Sequence, residues 1–223
     1  MKITFPEFNK IFDTCVPNKI NTLVIENQSL FSRFLLDLDH QLNGFDGKTV
    51  VSLSNKPLPV NKTVEVITQF IPFDINKKTL VNKIIAALEK TAVDGYNYQK
   101  TVELITEIEK YLDELSFGFD CDIEYSKLEI SSILKAVGIE IKSSYDTVSE
   151  KLIDYFELVR EFDRDKLFVT VNLRSYIDDI EAESFIDTVI KHEYNVIMLE
   201  NFEHAKLLSE ERYIIDADLC EIY

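Results

Sequence analysis

Toward its C-terminus the chain reads strand, helix, strand, and that order leaves few folds open. Lys166-Leu-Phe-Val-Thr-Val171 is a run of buried-strand type. Phe185, Ile186, Val189 and Ile190 mark a helix face, and Asn195-Val-Ile-Met-Leu199 is a second apolar strand. Strands joined in this way pair in parallel through a right-handed crossover. The same unit opens the chain. Asn21-Thr22-Leu23-Val24-Ile25-Glu26 is a strand, and Leu30, Phe31, Phe34, Leu35, Leu38 and Leu42 follow it at helical spacing, with Ser29 as the expected N-cap.

Gly44 and Gly47 then break the chain, and residues 63 to 71 form a further strand that Pro72 ends. The middle changes period. Leu80, Ile84, Ala87 and Leu88 mark one amphipathic helix, and Val102, Ile105, Ile108, Leu112 and Leu115 a second. Ile130, Ile133, Leu134 and Val137 mark a third, closed by Gly138 at C′. Thr147 and Glu150 form a capping box for a fourth, which runs through Leu152, Phe156 and Val159. Arg212-Tyr-Ile-Ile-Asp216 is the last expected strand. The expected architecture is an α/β sheet domain of parallel type made from residues 1–72 and 164–223, with an α-helical domain inserted at 73–163.

Composition narrows the function classes. Apolar residues form 46% of the chain, enough for a core, and no apolar stretch reaches the length of a membrane span. Met1-Lys2-Ile3-Thr4-Phe5-Pro6 lacks the apolar segment of a secretory signal. Cys15, Cys121 and Cys220 are an odd, widely spaced set with no C-x-x-C. Reduced thiols and a cytoplasmic location are expected, without a cysteine zinc site.

The net charge of −16 points away from nucleic acid as an average, but it is unevenly distributed. Residues 47 to 100 hold eight lysines against Glu65, Asp74, Glu89 and Asp94. From Glu103 to Glu129 there are nine acids against Lys110 and Lys127. Two readings stand: one basic face for a polyanion beside an acidic face for cations, or a solvated surface of uneven charge.

The chemistry that the first strand–helix junction could carry is phosphate binding. A phosphate loop needs glycines, so that backbone N–H groups can approach, and a lysine for charge. Glu26-Asn27-Gln28-Ser29-Leu30 has neither. His40, His192 and His204 stand in no nucleophile motif and no paired-histidine spacing, so neither hydrolase chemistry nor zinc is indicated.

Two clusters remain. Asp120, Asp122 and Glu124 alternate ahead of Glu129, and several carboxylates near one point suit calcium; a plain acidic surface is the other reading. Lys77 and Lys78 stand next to a helix start with Lys83 on the turns beyond. Spaced lysines neutralise phosphates along a groove, or simply solvate a helix face.

The order of several short segments resembles the type II-A CRISPR adaptation ring protein that binds double-stranded DNA ends. They are Lys2-Ile3-Thr4-Phe5-Pro6, Thr22–Glu26, Phe73-Asp74-Ile75-Asn76, Asp122-Ile123-Glu124-Tyr125 before Glu129-Ile130, Asp146-Thr147-Val148 with Glu150-Lys151, Val171-Asn172, and Val196–Glu200. The resemblance spans nearly the whole chain. It implies a homotetrameric ring, a dimer of dimers, with a basic channel for duplex ends and no nucleotide hydrolysis. It also implies a sheet domain like that of a P-loop ATPase without the phosphate loop, and a place in spacer acquisition beside the adaptation integrase and the RNA-guided effector nuclease. No membrane partner is implied. Carried over by position, Asp120, Asp122, Glu124 and Glu129 become calcium ligands, with Glu140 or Glu150 as alternates for one of them. Arg33, Lys48, Lys62, Lys77, Lys78 and Lys83 become the DNA-binding residues.

Overall fold

The computed structural model describes residues 1–8, 10–142 and 144–222. The chain divides into two units, Met1–Phe73 with Ser144–Tyr223, and Asp74–Ser143. In chain order the first unit runs β1 (Lys2–Thr4), β2 (Ile11–Asp13), β3 (Ile20–Ile25), α1 (Gln28–Leu42), β4 (Val50–Leu53), β5 (Lys56–Leu58), α2 (Val60–Thr63) and β6 (Val64–Ile67). The second unit holds α3 (Lys78–Ala92), α4 (Tyr98–Ser116) and α5 (Ile130–Ala136). The first then resumes with α6 (Val148–Phe162), β7 (Leu167–Val171), α7 (Asp179–Lys191), β8 (Asn195–Glu200), β9 (Glu210–Ile215) and β10 (Glu221–Ile222).

The larger sheet has the order β10-β9-β3-β8-β7-β6. All its pairs are parallel except β10 with β9, so the strand–helix–strand reading of β7, α7 and β8 is what the chain adopts. Register puts Thr22 of β3 level with Met198 of β8 and Arg212 of β9. Every residue of β3 is buried, as a strand covered on both faces requires.

On one face Leu23, Ile25, Val169, Ile197, Leu199 and Tyr213 pack with Leu30, Phe34 and Leu38 of α1 in a single core. That core takes in Ile3, Phe12 and Val51 from a second, antiparallel sheet of order β2-β1-β4-β5. On the other face Phe156 of α6 stacks on Phe168, with centroids 4.1 Å apart, and meets Phe185 and Tyr194 edge-on. α6 thus lies in the first unit, whereas its periodicity alone groups it with the helices before it.

Local signals decide the element ends. Thr147 caps α6, its Oγ1 accepting from Glu150 N at 3.2 Å, and Gly138 follows α5 at φ +64°, as expected from sequence. α1 starts earlier than expected. Its N-cap is Asn27, whose Oδ1 accepts from Leu30 N at 3.0 Å, and Ser29 is already inside the helix. The strand expected at 63 to 71 is shorter, because Thr63 closes α2 and β6 ends at Ile67.

The second unit has little interior: Ile75, Leu80 and Ile85 are its buried apolar side chains, and α4 has no buried residue. Asn76 ties its two ends, with Nδ2 donating to Ile141 O and Oδ1 accepting from Ile141 N. Among the described residues no helix is long and apolar enough to cross a membrane.

Candidate nucleic-acid interface

The six basic residues divide between the units. Arg33 lies exposed on α1, on the turns that bury Phe34 and Leu38 against the sheet. Lys48 is exposed in the turn after that helix, and Lys62 is exposed in α2. Lys48 also borders a recess of about 330 Å³ with Glu7, Asp37, His40 and Asp46. In the second unit Lys77 is the N-cap residue of α3, Lys78 is its first residue and Lys83 lies on it. Lys78 is exposed, while Lys77 and Lys83 are half-buried. The first turn of α3 contains no acid, and exposed Lys78 stands at its positive dipole end. The structure therefore gathers three of the six cations on one helix and spreads the others over α1, the turn after it and α2.

The acids are placed differently. Asp120, Asp122 and Glu124 stand exposed in the irregular segment between α4 and α5, and Glu129 is exposed at the N-cap of α5. Glu129 Oε2 accepts from Ser131 Oγ at 3.4 Å. Tyr125 pins the segment to α4: its hydroxyl donates to Asp113 Oδ1 at 2.6 Å and also reaches Glu109 O at 3.2 Å. The hydrogen bond to Asp113, with some desolvation, pushes the phenol up to about 12. Among the described residues no group of three or more His, Cys, Asp or Glu is placed to hold a metal ion. Asp120, Asp122, Glu124 and Glu129 thus contribute no such group within one chain.

At the carboxyl end of the parallel sheet, the β3–α1 junction is filled by its own side chain. Besides capping Leu30, Asn27 donates through Nδ2 to Ala217 O at 2.9 Å. Beside it β8 ends on Glu200, which is fully buried with Arg174, Glu210 and Arg212. Burial pushes the Glu200 carboxyl up to about 7, against the opposing pull of Arg174, and the same desolvation lowers His204. Sequence reading passes over this group, because charged residues beside apolar strands read as surface. The available signal is Glu210-Glu211-Arg212 at the start of a buried strand.

Residues 41–219 match the family described as CRISPR-associated protein (Cas_Csn2). The chain is similar to CRISPR-associated protein Csn2 of Streptococcus agalactiae, at 24% identity covering 98% of this chain and 96% of the relative. It is also similar to CRISPR-associated protein Csn2 of Enterococcus faecalis, at 22% identity covering 92% of each.

Proposed function

The chain belongs to the Csn2 family of CRISPR-associated proteins, which carries a role in CRISPR adaptation, and on that premise we propose that it acts there as a non-catalytic binder of double-stranded DNA ends. The proposed form is a homotetrameric ring, a dimer of dimers, whose basic lumen takes the duplex beside the adaptation integrase and the RNA-guided effector nuclease. The observation that carries the reading is the family match from residue 41 to 219.

Several features support it. Arg33, Lys48, Lys62 and Lys78 are exposed, so these cations are open to phosphates although the chain's net charge is −16. The parallel strands β9-β3-β8-β7-β6 with a helix after β3, and the chain's departure into a second unit, support an ATPase-like sheet with a helical insertion. The self-capped, glycine-free junction after β3 supports the absence of nucleotide chemistry. Val102, Leu104, Tyr111 and Leu115 of α4 are exposed, which supports assembly of copies. Calcium enters this proposal through assembly, since Asp120, Asp122, Glu124 and Glu129 need a partner or a rearrangement to share one ion.

The test is a gel shift with blunt linear duplex and with closed circular plasmid, run beside light scattering after size exclusion. A tetramer that shifts the linear form and ignores the circle is the expected result. A second reading, a degenerate NTPase-like interaction scaffold of the adaptation complex, draws on the same exposed side chains of α4. An intact oligomer that ignores both DNA forms would favour it.

A further inference from the structure

Parallel strands are ordinarily joined through a helix, which satisfies its own backbone. β8 and β9 both run parallel to β3 and flank it, yet residues 201–209 between them contain no helix. Backbone groups in such a crossover need partners from elsewhere. They find them in buried charge. Arg212 donates to His204 O and to Ala205 O, each at 2.7 Å, and Arg174 reaches Ala205 O at 3.4 Å. Glu210 Oε2 accepts from Leu207 N at 3.1 Å.

Both guanidinium groups have acidic partners other than Glu200, although Arg174 Nε and Nη1 make no hydrogen bond. Arg212 binds Glu210 at 2.7 Å and Glu203 at 3.3 Å. Arg174 binds Asp179, at the start of α7, at 2.5 Å, with Glu210 at 4.0 Å. Glu200, 1% exposed, receives the backbone N–H of Arg174 on Oε1. Its Oε2 faces His204 Nε2 at 3.6 Å, and neither atom has a hydrogen-bond partner. The titratable and charged groups around the pair are thus Arg174, Asp179, Glu203, Glu210 and Arg212. The flanking positions of β3, Thr22 and Val24, and the buried face of α7 add none.

We propose that residues 201–209 are a proton-operated latch, held on the sheet while Glu200 and His204 share one proton and loosened when that proton leaves. With the proton present the pair needs no external counter-charge. Without it a buried carboxylate must share Arg174 with Asp179 and Glu210, so its desolvation is only partly offset. The cost falls on the segment that carries His204, because Glu200 itself is fixed in the sheet. Burial, by raising Glu200 and lowering His204, sets the change near neutrality.

The chain contains no tryptophan, so Phe202→Trp installs a single emitter beside His204, whose ring centroid lies 4.1 Å from that of Phe202. Its emission is expected to change with a midpoint near 7. Amide exchange in residues 203–208, corrected for intrinsic rate, should rise by up to about ten-fold per pH unit above that midpoint. Residues 64–67 serve as the internal control, and Glu200→Gln should abolish both responses. A flat response in the parent chain between about pH 6 and 8.5, or an undiminished one in Glu200→Gln, overturns the latch. If Glu200→Gln does not fold, carbon-detected titration of the parent's glutamates decides. A carboxyl titrating near 7 supports the proposal, and its absence overturns it.

Discussion

Gln41 clasps Thr49 with both ends of its carboxamide, Nε2 donating to Thr49 O at 2.8 Å and Oε1 accepting from Thr49 N at 3.1 Å. The clasp closes the turn that carries Lys48 and leaves no room beside it: a Cβ on Gly47 would lie 2.3 Å from Oε1. Gly47→Ala is therefore expected to displace the carboxamide and to cost about 1–2 kcal/mol through lost hydrogen bonds. Urea unfolding measures it, and an unchanged midpoint would mean that Gln41 moves aside without losing Thr49.

Phe156 is the hinge of the aromatic packing under α6 and α7. It is fully buried, stacked on Phe168 and edge-on to Phe185 and Tyr194. Phe156→Ala should destabilise the first unit by about 3–5 kcal/mol, from lost burial and the cavity left behind. Phe156→Leu should cost less. Equal losses for the two variants would contradict a cavity-dominated effect.

Glu200 gives stability a pH dependence of stated sign. Its carboxyl titrates near 4.5 when unfolded and about 7 when folded, so between those values the native chain holds the extra proton. Stability from this group is complete below the lower value and is lost as pH rises through the upper one. The difference between Glu200→Gln and the parent should grow in the variant's favour across that window, by up to about 3 kcal/mol. A difference that is independent of pH would mean that the carboxyl is not buried in solution.

Exposed lysines that meet phosphate contribute to affinity through released counterions. Lys48→Ala and Lys78→Ala should each weaken duplex binding uniformly across sequences and reduce the salt slope of log K by about 1. Titrations at several salt concentrations check this. A variant with an unchanged slope removes its residue from the interface.

Excess chelator should lower the oligomer mass in light scattering and weaken the linear-DNA shift. The pair Asp122→Asn with Glu124→Gln should behave in calcium as the parent does in chelator. If chelator changes neither mass nor affinity, the calcium part of the proposal is discarded, and the DNA part stands separately.

The sequence discloses the parallel sheet better than anything else, for a physical reason. β3, β7 and β8 are covered on both faces, so Leu23-Val24-Ile25 and Val196-Ile-Met-Leu199 form unbroken apolar runs. The antiparallel sheet is invisible by the same logic. β1, β2 and β5 have three residues each, too few to establish a period. Amphipathicity identifies α6 as a helix without saying which unit it joins. Charge patterning finds Lys77, Lys78 and Lys83, which one helix brings together, but gives no position for Arg33, Lys48 and Lys62. The crossover network is missed because Arg174, Glu200, Glu210 and Arg212 come from separate segments, and their meeting depends on β9 crossing to the far side of β3.

That crossing has a consequence during synthesis. β3 is translated well before the two strands that flank it, β8 and β9. Until they emerge, a strand with two open hydrogen-bonding edges and apolar faces has no lasting partner, and the whole helical unit is made in the interval. Pairings so distant in sequence close slowly and leave nascent chains prone to aggregation. A stall or truncation anywhere before residue 195 therefore strands β3 without either neighbour, and such fragments are natural clients for chaperones and proteases.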